Sequence, residues 1–175
     1  MSARLVVFSG PACSGKTVLG AELARRLGAP HLQMDTTRAR LMPDSQHTRH
    51  DRAIAYRAMH LAAELLLGSG VSVILDAQYA HPEDRGEVDT VAARTGSPIY
   101  LIECKVAPEI AVRRFRERAA DHPGLDLTSD LVAGMARTFP YRGTGLLIDT
   151  GELPPEECSR RIDAYVTTAD TGAAG

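Results

Sequence analysis

Gly10-Pro11-Ala12-Cys13-Ser14-Gly15-Lys16-Thr17 reads G-x-x-x-x-G-K-[ST], the pattern of a phosphate-binding loop. Both flanks agree with it. Leu5-Val6-Val7-Phe8 is a short apolar run that fits a buried strand. After the loop, Leu19, Leu23 and Leu27 recur every four residues beside Gly20 and Ala24, which predicts a helix packed on a sheet and ended by Gly28. Gly10 and Gly15 let the backbone turn tightly and approach phosphate without a Cβ in the way. The N–H groups of Ala12, Cys13, Ser14 and Gly15 and the positive end of the helix then face a triphosphate together. Lys16 supplies a point charge to the β- and γ-phosphates, and the Thr17 hydroxyl takes a place on Mg²⁺.

Outward from the loop, short apolar runs alternate with helical patterns. Pro30 to Asp35 reads as a second strand ending in an acid, followed by polar residues 36–49 with a Pro43-Asp44 turn. A helix is expected from about Asp51 to Leu67, with Ile54, Ala58, Leu61 and Leu65 as its buried stripe. Val71 to Asp76 is a third strand, again ending in an acid. A helix from about Glu83 to Thr95, a strand Ile99 to Cys104 and a helix opened by Pro108 follow. A further helix over 129–138, a strand Leu146 to Asp149 and a last helix burying Cys158, Ile162, Tyr165 and Val166 complete the pattern. This alternation predicts a three-layer α/β fold with a five-stranded parallel sheet, whose ligands bind beyond the carboxyl ends of the strands. The P-loop, Asp35, Asp76 and the residues after Cys104 all fall there.

Bulk properties bound the function. At 175 residues with 44% apolar content, one domain over 1–167 with a flexible tail over 168–175 is expected. A net charge of −2 argues against broad nucleic-acid binding. Cys13, Cys104 and Cys158 are scattered, so neither a disulfide framework nor a zinc site is indicated, and reduced thiols suit a cytoplasmic protein. No leader segment is expected before the first strand, and no apolar run is long enough to span a bilayer. His47 and His50 near Asp44 and Asp51 lack the further ligands a metal would need. Cys13, in the loop, has no histidine partner in sequence and is not read as a nucleophile, although the helix end and Lys16 could lower its pKa.

The chain resembles the small P-loop kinases, specifically the polynucleotide-kinase, zeta-toxin and antibiotic-phosphotransferase-like group. The resemblance rests on the loop 10–17, Asp35-x-x-Arg38, Leu75-Asp76-Ala77, Arg85, and Arg114-x-x-x-Arg118. It implies strand order 2-3-1-4-5 and transfer of a γ-phosphoryl group to a hydroxyl. It also implies roles. Asp35 is the base that accepts the acceptor's proton, and Arg38 binds the acceptor through an anionic group. Asp76 sits near the metal's water shell. Arg114 and Arg118, on a lid over about 107–128, close over the triphosphate. Thr150 and Gly151 lie where such kinases hold adenine.

At i and i+4, Arg114 and Arg118 share a helix face and can reach one ligand. Gln78 and Tyr79 follow Asp76 and are candidates for the acceptor pocket, with packing the alternative. Arg85 and Arg142 are weaker site candidates. The expected enzyme is an ATP-dependent (GTP being the alternative), Mg²⁺-dependent kinase acting on a small hydroxylated molecule such as a secondary metabolite, nucleoside or sugar. A nucleic-acid 5′-hydroxyl acceptor and a nucleotide-switched regulatory NTPase are the competing readings, and the sequence leaves the oligomeric state open.

Overall fold

The structure, a computed structural model, describes residues 3–118 and 127–168. The expected lid residues 119–126 and the tail beyond 168 lie outside the described residues. Five strands, β1 (Leu5–Ser9), β2 (His31–Gln33), β3 (Val73–Asp76), β4 (Ile99–Lys105) and β5 (Leu146–Asp149), form one sheet in the order β2-β3-β1-β4-β5. Every neighbouring pair is parallel. The register sets Phe8 beside Asp76 and Ile102, and Gln33 beside Asp76, so the strands end along one edge.

The side-chain alternation of β1 divides the interior. Leu5 and Val7 face one layer with Val73 and Leu75, while Val6 and Phe8 face the other with Ile74 and Ile102. The first layer is covered by α3 (Arg49–Gly68) and α4 (Pro82–Thr95), the second by α1 (Lys16–Leu27) and α7 (Pro155–Thr168). Both layers are aliphatic, as a parallel sheet covered on both faces requires. A third cluster packs α5 (Pro108–Glu117) and α6 (Ser129–Thr138) beside the P-loop, through Val106, Ala111, Val132 and Ala136 against Ala12 and Cys13.

Three sequence expectations change. Asp35 does not end a strand: β2 stops at Gln33, and Asp35 lies in the first turn of α2 (Met34–Leu41). That helix, MDTTRARL, buries only Met34 and Arg38, so it has no apolar stripe to announce it. Helix α3 begins at Arg49, where Thr48 and Asp51 close a capping box. Its core face is Ala55, Tyr56, Met59, His60, Ala63 and Leu67, not the expected stripe: Ile54, Leu61 and Leu65 are 37%, 60% and 65% exposed. Leu27, at the last turn of α1, is also exposed, while Leu19 and Leu23 are buried as expected.

Candidate active site

The loop between β1 and α1 has the geometry of an anion cradle. Gly10 adopts φ 151°, and a Cβ there would collide with the Cys104 carbonyl and lie 2.8 Å from Ser14 Oγ. Gly15 is the N-cap of α1 at φ 85°; no side chain caps the helix, and its first turn holds no acid. The first N–H groups of α1 therefore have neither a capping side chain nor a nearby carboxylate, and their dipole favours an anion. The buried Lys16 ammonium donates to the Pro11 carbonyl at 2.7 Å and lies 3.5 Å from Ser14 Oγ. Thr17 is exposed beside it.

The loop is braced from behind. Thr150 Oγ1 donates to the Ser14 carbonyl at 2.8 Å. Arg114 donates to the Cys13 carbonyl at 3.3 Å, to Thr150 Oγ1 at 3.0 Å and to the Thr150 carbonyl at 2.6 Å. The three Arg114 bonds are charge-assisted, two to main-chain carbonyls and one to the Thr150 hydroxyl, and they fix the loop against the end of β5.

In front of the loop opens a cleft of about 150 Å³. Residues 12–17 form one wall, Asp76, Ala77 and Gln78 the floor, and Arg118, Leu127 and Met135 a second wall. Asp35, Arg49, Arg52, Tyr56 and two histidines, His47 and His81, complete it. The Asp35 side chain is 54% exposed toward this space, and the buried Arg38, one turn on, lies 3.5 Å from its Oδ1. Arg49 donates to both oxygens of the buried Asp84, at 3.1 and 3.2 Å, which fixes the guanidinium at the cleft's rim.

Asp76 has one carboxylate oxygen, Oδ2, buried with no hydrogen bond, and the buried His31 Nε2 lies 3.5 Å from it, also unbonded. Gly20 makes room for that imidazole: a Cβ at Gly20 would stand 2.8 Å from His31 Nε2. Asp76 and the exposed Thr17 line the same cleft, and a carboxylate with a hydroxyl fits Mg²⁺, a hard cation that takes oxygen ligands and keeps several waters. No group of three or more His, Cys, Asp or Glu residues suited to a metal occurs among the described residues, so phosphate oxygens and water would supply the remaining ligands.

The structure brings Lys16, Thr17, Asp35, Asp76, Gln78 and Arg118 to one cleft, with Ala12, Cys13, Ser14 and Gly15 in its wall. Other candidates fall elsewhere. Arg114 turns to the back of the P-loop, drawn to the carbonyls of Cys13 and Thr150, while Arg118, the C-cap of α5, lines the cleft. Thr150 is buried behind the loop, and Gly151 N–H donates to Asp149 Oδ1, so neither lines the cleft. Arg38 is buried against Asp35 rather than lining the cleft.

Tyr79 is a core residue, 2% exposed at φ 53°, its hydroxyl 3.1 Å from His60 Nε2 and its N–H donating to Tyr56 Oη at 3.2 Å. Burial pushes its phenol well above the usual range. Arg85 ties the Tyr79 carbonyl, at 2.5 Å, to the Pro140 carbonyl, and Arg142 pairs with Asp89 at 2.9 and 3.0 Å. The Cys13 thiol is raised rather than lowered: burial outweighs the opposing charges of Lys16, Arg118 and Arg114, which keeps it a neutral small residue.

Sequence reading expected an acceptor pocket from residues 36–60 and their arginines, a region that contains Arg49, Arg52 and Tyr56, but singled out none of these three and missed His81 and the His31–Asp76 contact. A signal for the arginines existed. Arg49 and Arg52 stand in the first turn of α3, where the helix dipole disfavours cations. A locally unfavourable charge is the mark of a position set by function or by a distant partner.

The sequence matches the AAA domain family over residues 5–141. It is 30% identical over 159 residues to an uncharacterized protein of Mycobacterium tuberculosis, an alignment that takes 84% of this chain and 32% of that protein. The chain thus spans about a third of the length of the curated relatives it matches. In fold it is similar to the Mycobacterium tuberculosis APS kinase in complex with AMPPNP and APS, with a TM-score of 0.75, 21% identity, and 95% and 99% of the two chains covered. It is similar also to a gluconokinase from Sinorhizobium meliloti, with a TM-score of 0.70, 18% identity, and 97% and 94% covered. Among the described residues no helix is long and apolar enough to cross a membrane.

Proposed function

The chain belongs to the AAA domain family, and from that premise and the cleft's geometry we propose that it is a phosphotransferase. It moves the γ-phosphoryl group of ATP to a hydroxyl of a small-molecule acceptor, in the manner of the small P-loop kinases that its sequence resembles. The observation that carries this reading is the position of the Asp35 carboxylate, half-exposed in the same cleft as Lys16 and Thr17. A nucleotide-binding module needs a carboxylate for its metal, which Asp76 supplies, and leaves the second one, Asp35, without a task.

The work asked of the protein is positioning and electrostatic stabilisation. The P-loop N–H groups and Lys16 hold the β- and γ-phosphates. Thr17 and Asp76 would hold Mg²⁺, which when bound neutralises charge on the phosphate oxygens. Asp35 orients the acceptor hydroxyl and takes its proton, and Arg38 holds Asp35. Arg118, at the end of α5 beside the loop, stabilises charge on the transferring group. Arg114 and Thr150 act at one remove, by keeping the loop in shape.

Arg52, His47 and His81 line the cleft and favour a polar, hydroxylated molecule, while the Arg49 fork is already held by Asp84 and braces the rim. Similarity in fold to an APS kinase and a gluconokinase supports a small acceptor. The test is ATP consumption with Mg²⁺ across a panel of sugar acids, nucleosides, antibiotics and a 5′-hydroxyl oligonucleotide, with mass spectrometry for the added phosphoryl group. Transfer to a hydroxylated small molecule is expected. Transfer to the oligonucleotide alone would make the protein a nucleic-acid-end kinase, and slow hydrolysis unaffected by any acceptor would point to a regulatory NTPase.

A further inference from the structure

Helix α3 has two apolar faces. The inner one packs on the sheet and α4. The outer one is Ile54, Ala58, Leu61 and Leu65, spaced by four, three and four residues, which is the a/d spacing of a coiled-coil seam. At ~100° per residue its centre falls about 170° from that of the buried face, so it points straight away from the core. Ile54, Leu61 and Leu65 are 37%, 60% and 65% exposed. A helix that is apolar on both sides is ordinarily covered on both.

We propose that this seam pairs with the same seam of a second copy of the chain, antiparallel about a two-fold axis. Such an interface is isologous, each side meeting an identical patch. In that arrangement Ile54 of one copy meets Leu65 of the other, and Ala58 meets Leu61, so all four residues are used and the small Ala58 admits the larger Leu61. The flanking charges select the same register. Arg57 and Glu64 lie seven residues apart on one side of the seam; the other side carries Ala62, with Ala55 buried against the sheet. Antiparallel pairing sets Arg57 of each copy against Glu64 of the other, twice by symmetry. A slip of one heptad either way sets Arg57 against Arg57 or Glu64 against Glu64. Parallel pairing sets Arg57 against Ala62 and Glu64 against Ser69, matching neither charge. Apolar spacing and charge thus agree on a single register, with repulsion against its neighbours.

Glu64 also holds Arg94 of α4 at 3.4 Å, which positions its carboxylate at the flank of the seam. The seam from Ile54 to Leu65 is about 17 Å long, and Asp51, tied into its own helix cap, and Gly68 stand at its ends. An interface of that extent lies at the low end of specific contacts, so the dimer is weak, dissociating at roughly micromolar concentration.

Sedimentation velocity on the full chain tests this, from ~1 to several hundred micromolar, with mass rising from one copy toward two and less so at high salt. Arg57→Glu sets carboxylates against each other in the homodimer and Glu64→Arg sets guanidiniums against each other. Each variant alone is expected to stay monomeric at concentrations where the parent associates. Mixed, the two restore attraction at both ends of the seam and are expected to form a heterodimer, while thermal melts show each folded. Leu61→Glu is expected to stay monomeric alone and in every mixture. A parent chain monomeric throughout the range would overturn the proposal. So would a dimer indifferent to Leu61→Glu, or single variants that fail to associate when mixed.

Discussion

Replacing Gly20 by alanine probes the packing that sets Asp76, the acid at the cleft's floor. A Cβ at Gly20 would lie 2.8 Å from His31 Nε2 and 3.2 Å from Cε1, while Phe8, at 3.5 Å, is in ordinary contact. Carbon–nitrogen contacts settle near ~3.5 Å, so the imidazole must retreat by about 0.7 Å. It has little room, with Asp76 Oδ2 at 3.5 Å and Gln33 Nε2 at 3.4 Å. Two terms oppose each other. Gly→Ala inside a helix stabilises by about 1 kcal/mol, and overpacking costs about 1–3 kcal/mol. The parent background should therefore show a net loss of about 0–2 kcal/mol.

In a His31→Ala background the clash disappears and only the helix term remains, so the same substitution should stabilise by about 1 kcal/mol. The coupling between the two sites is then ~1–3 kcal/mol. Urea unfolding of the four proteins, with m held common, measures it. An equal effect of Gly20→Ala in both backgrounds would refute the reasoning, because the imidazole would then not fill the space that Gly20 leaves.

Lys16→Ala removes the ammonium from the phosphate cradle and should lower phosphoryl transfer by roughly 10²–10³-fold, read as kcat with saturating acceptor. Arg114→Ala breaks charge-assisted bonds to Cys13 and Thr150 and should cost about 1.5–3 kcal/mol in chemical denaturation, whereas Arg118→Ala should leave stability within ~0.5 kcal/mol and lower transfer instead. The Asp51 carboxyl is held below its usual range, chiefly by the Ser45 hydroxyl and also by Thr48. A depressed native pKa contributes stability that is present above the unfolded value, near ~3.9, and lost as pH falls through the native one. Asp51→Asn should accordingly lower the neutral plateau of a stability–pH curve and flatten its acid limb, and Ser45→Ala should do the same in part.

What the sequence made legible follows from the kind of signal each element carries. β1, the P-loop and α1 combine an apolar run, obligatory glycines and a helical period, and all three lie where the pattern puts them. The strand order matches the resemblance. α2 has no apolar period, so it reads as loop, and Asp35 reaches the cleft from a helix turn rather than a strand end. In α3 the period was right and the face wrong: with apolar residues on both sides of the helix, sequence alone does not say which side meets the sheet.

Arg114 and Arg118 stand four apart at the end of α5, yet only Arg118 lines the cleft, because the carbonyls of Cys13 and Thr150, distant in sequence, claim Arg114. Tyr79, adjacent in sequence to Gln78 on the cleft floor, turns inward because its backbone adopts a left-handed conformation. Arg49 depends on Asp84, 35 positions away, a partner no local pattern reveals.

The central claim is that Asp35 serves transfer and not nucleotide binding. The most direct measurement pairs the affinity of Asp35→Asn for ATP with its single-turnover transfer to the acceptor found in the panel. Asn keeps the size of the side chain and removes the charge that would take the proton. The account predicts ATP affinity within about threefold of the parent, a difference of under ~1 kcal/mol, with transfer lost. Loss of ATP affinity in parallel with transfer would move Asp35 to the nucleotide's metal and contradict the account, as would transfer at the parent rate.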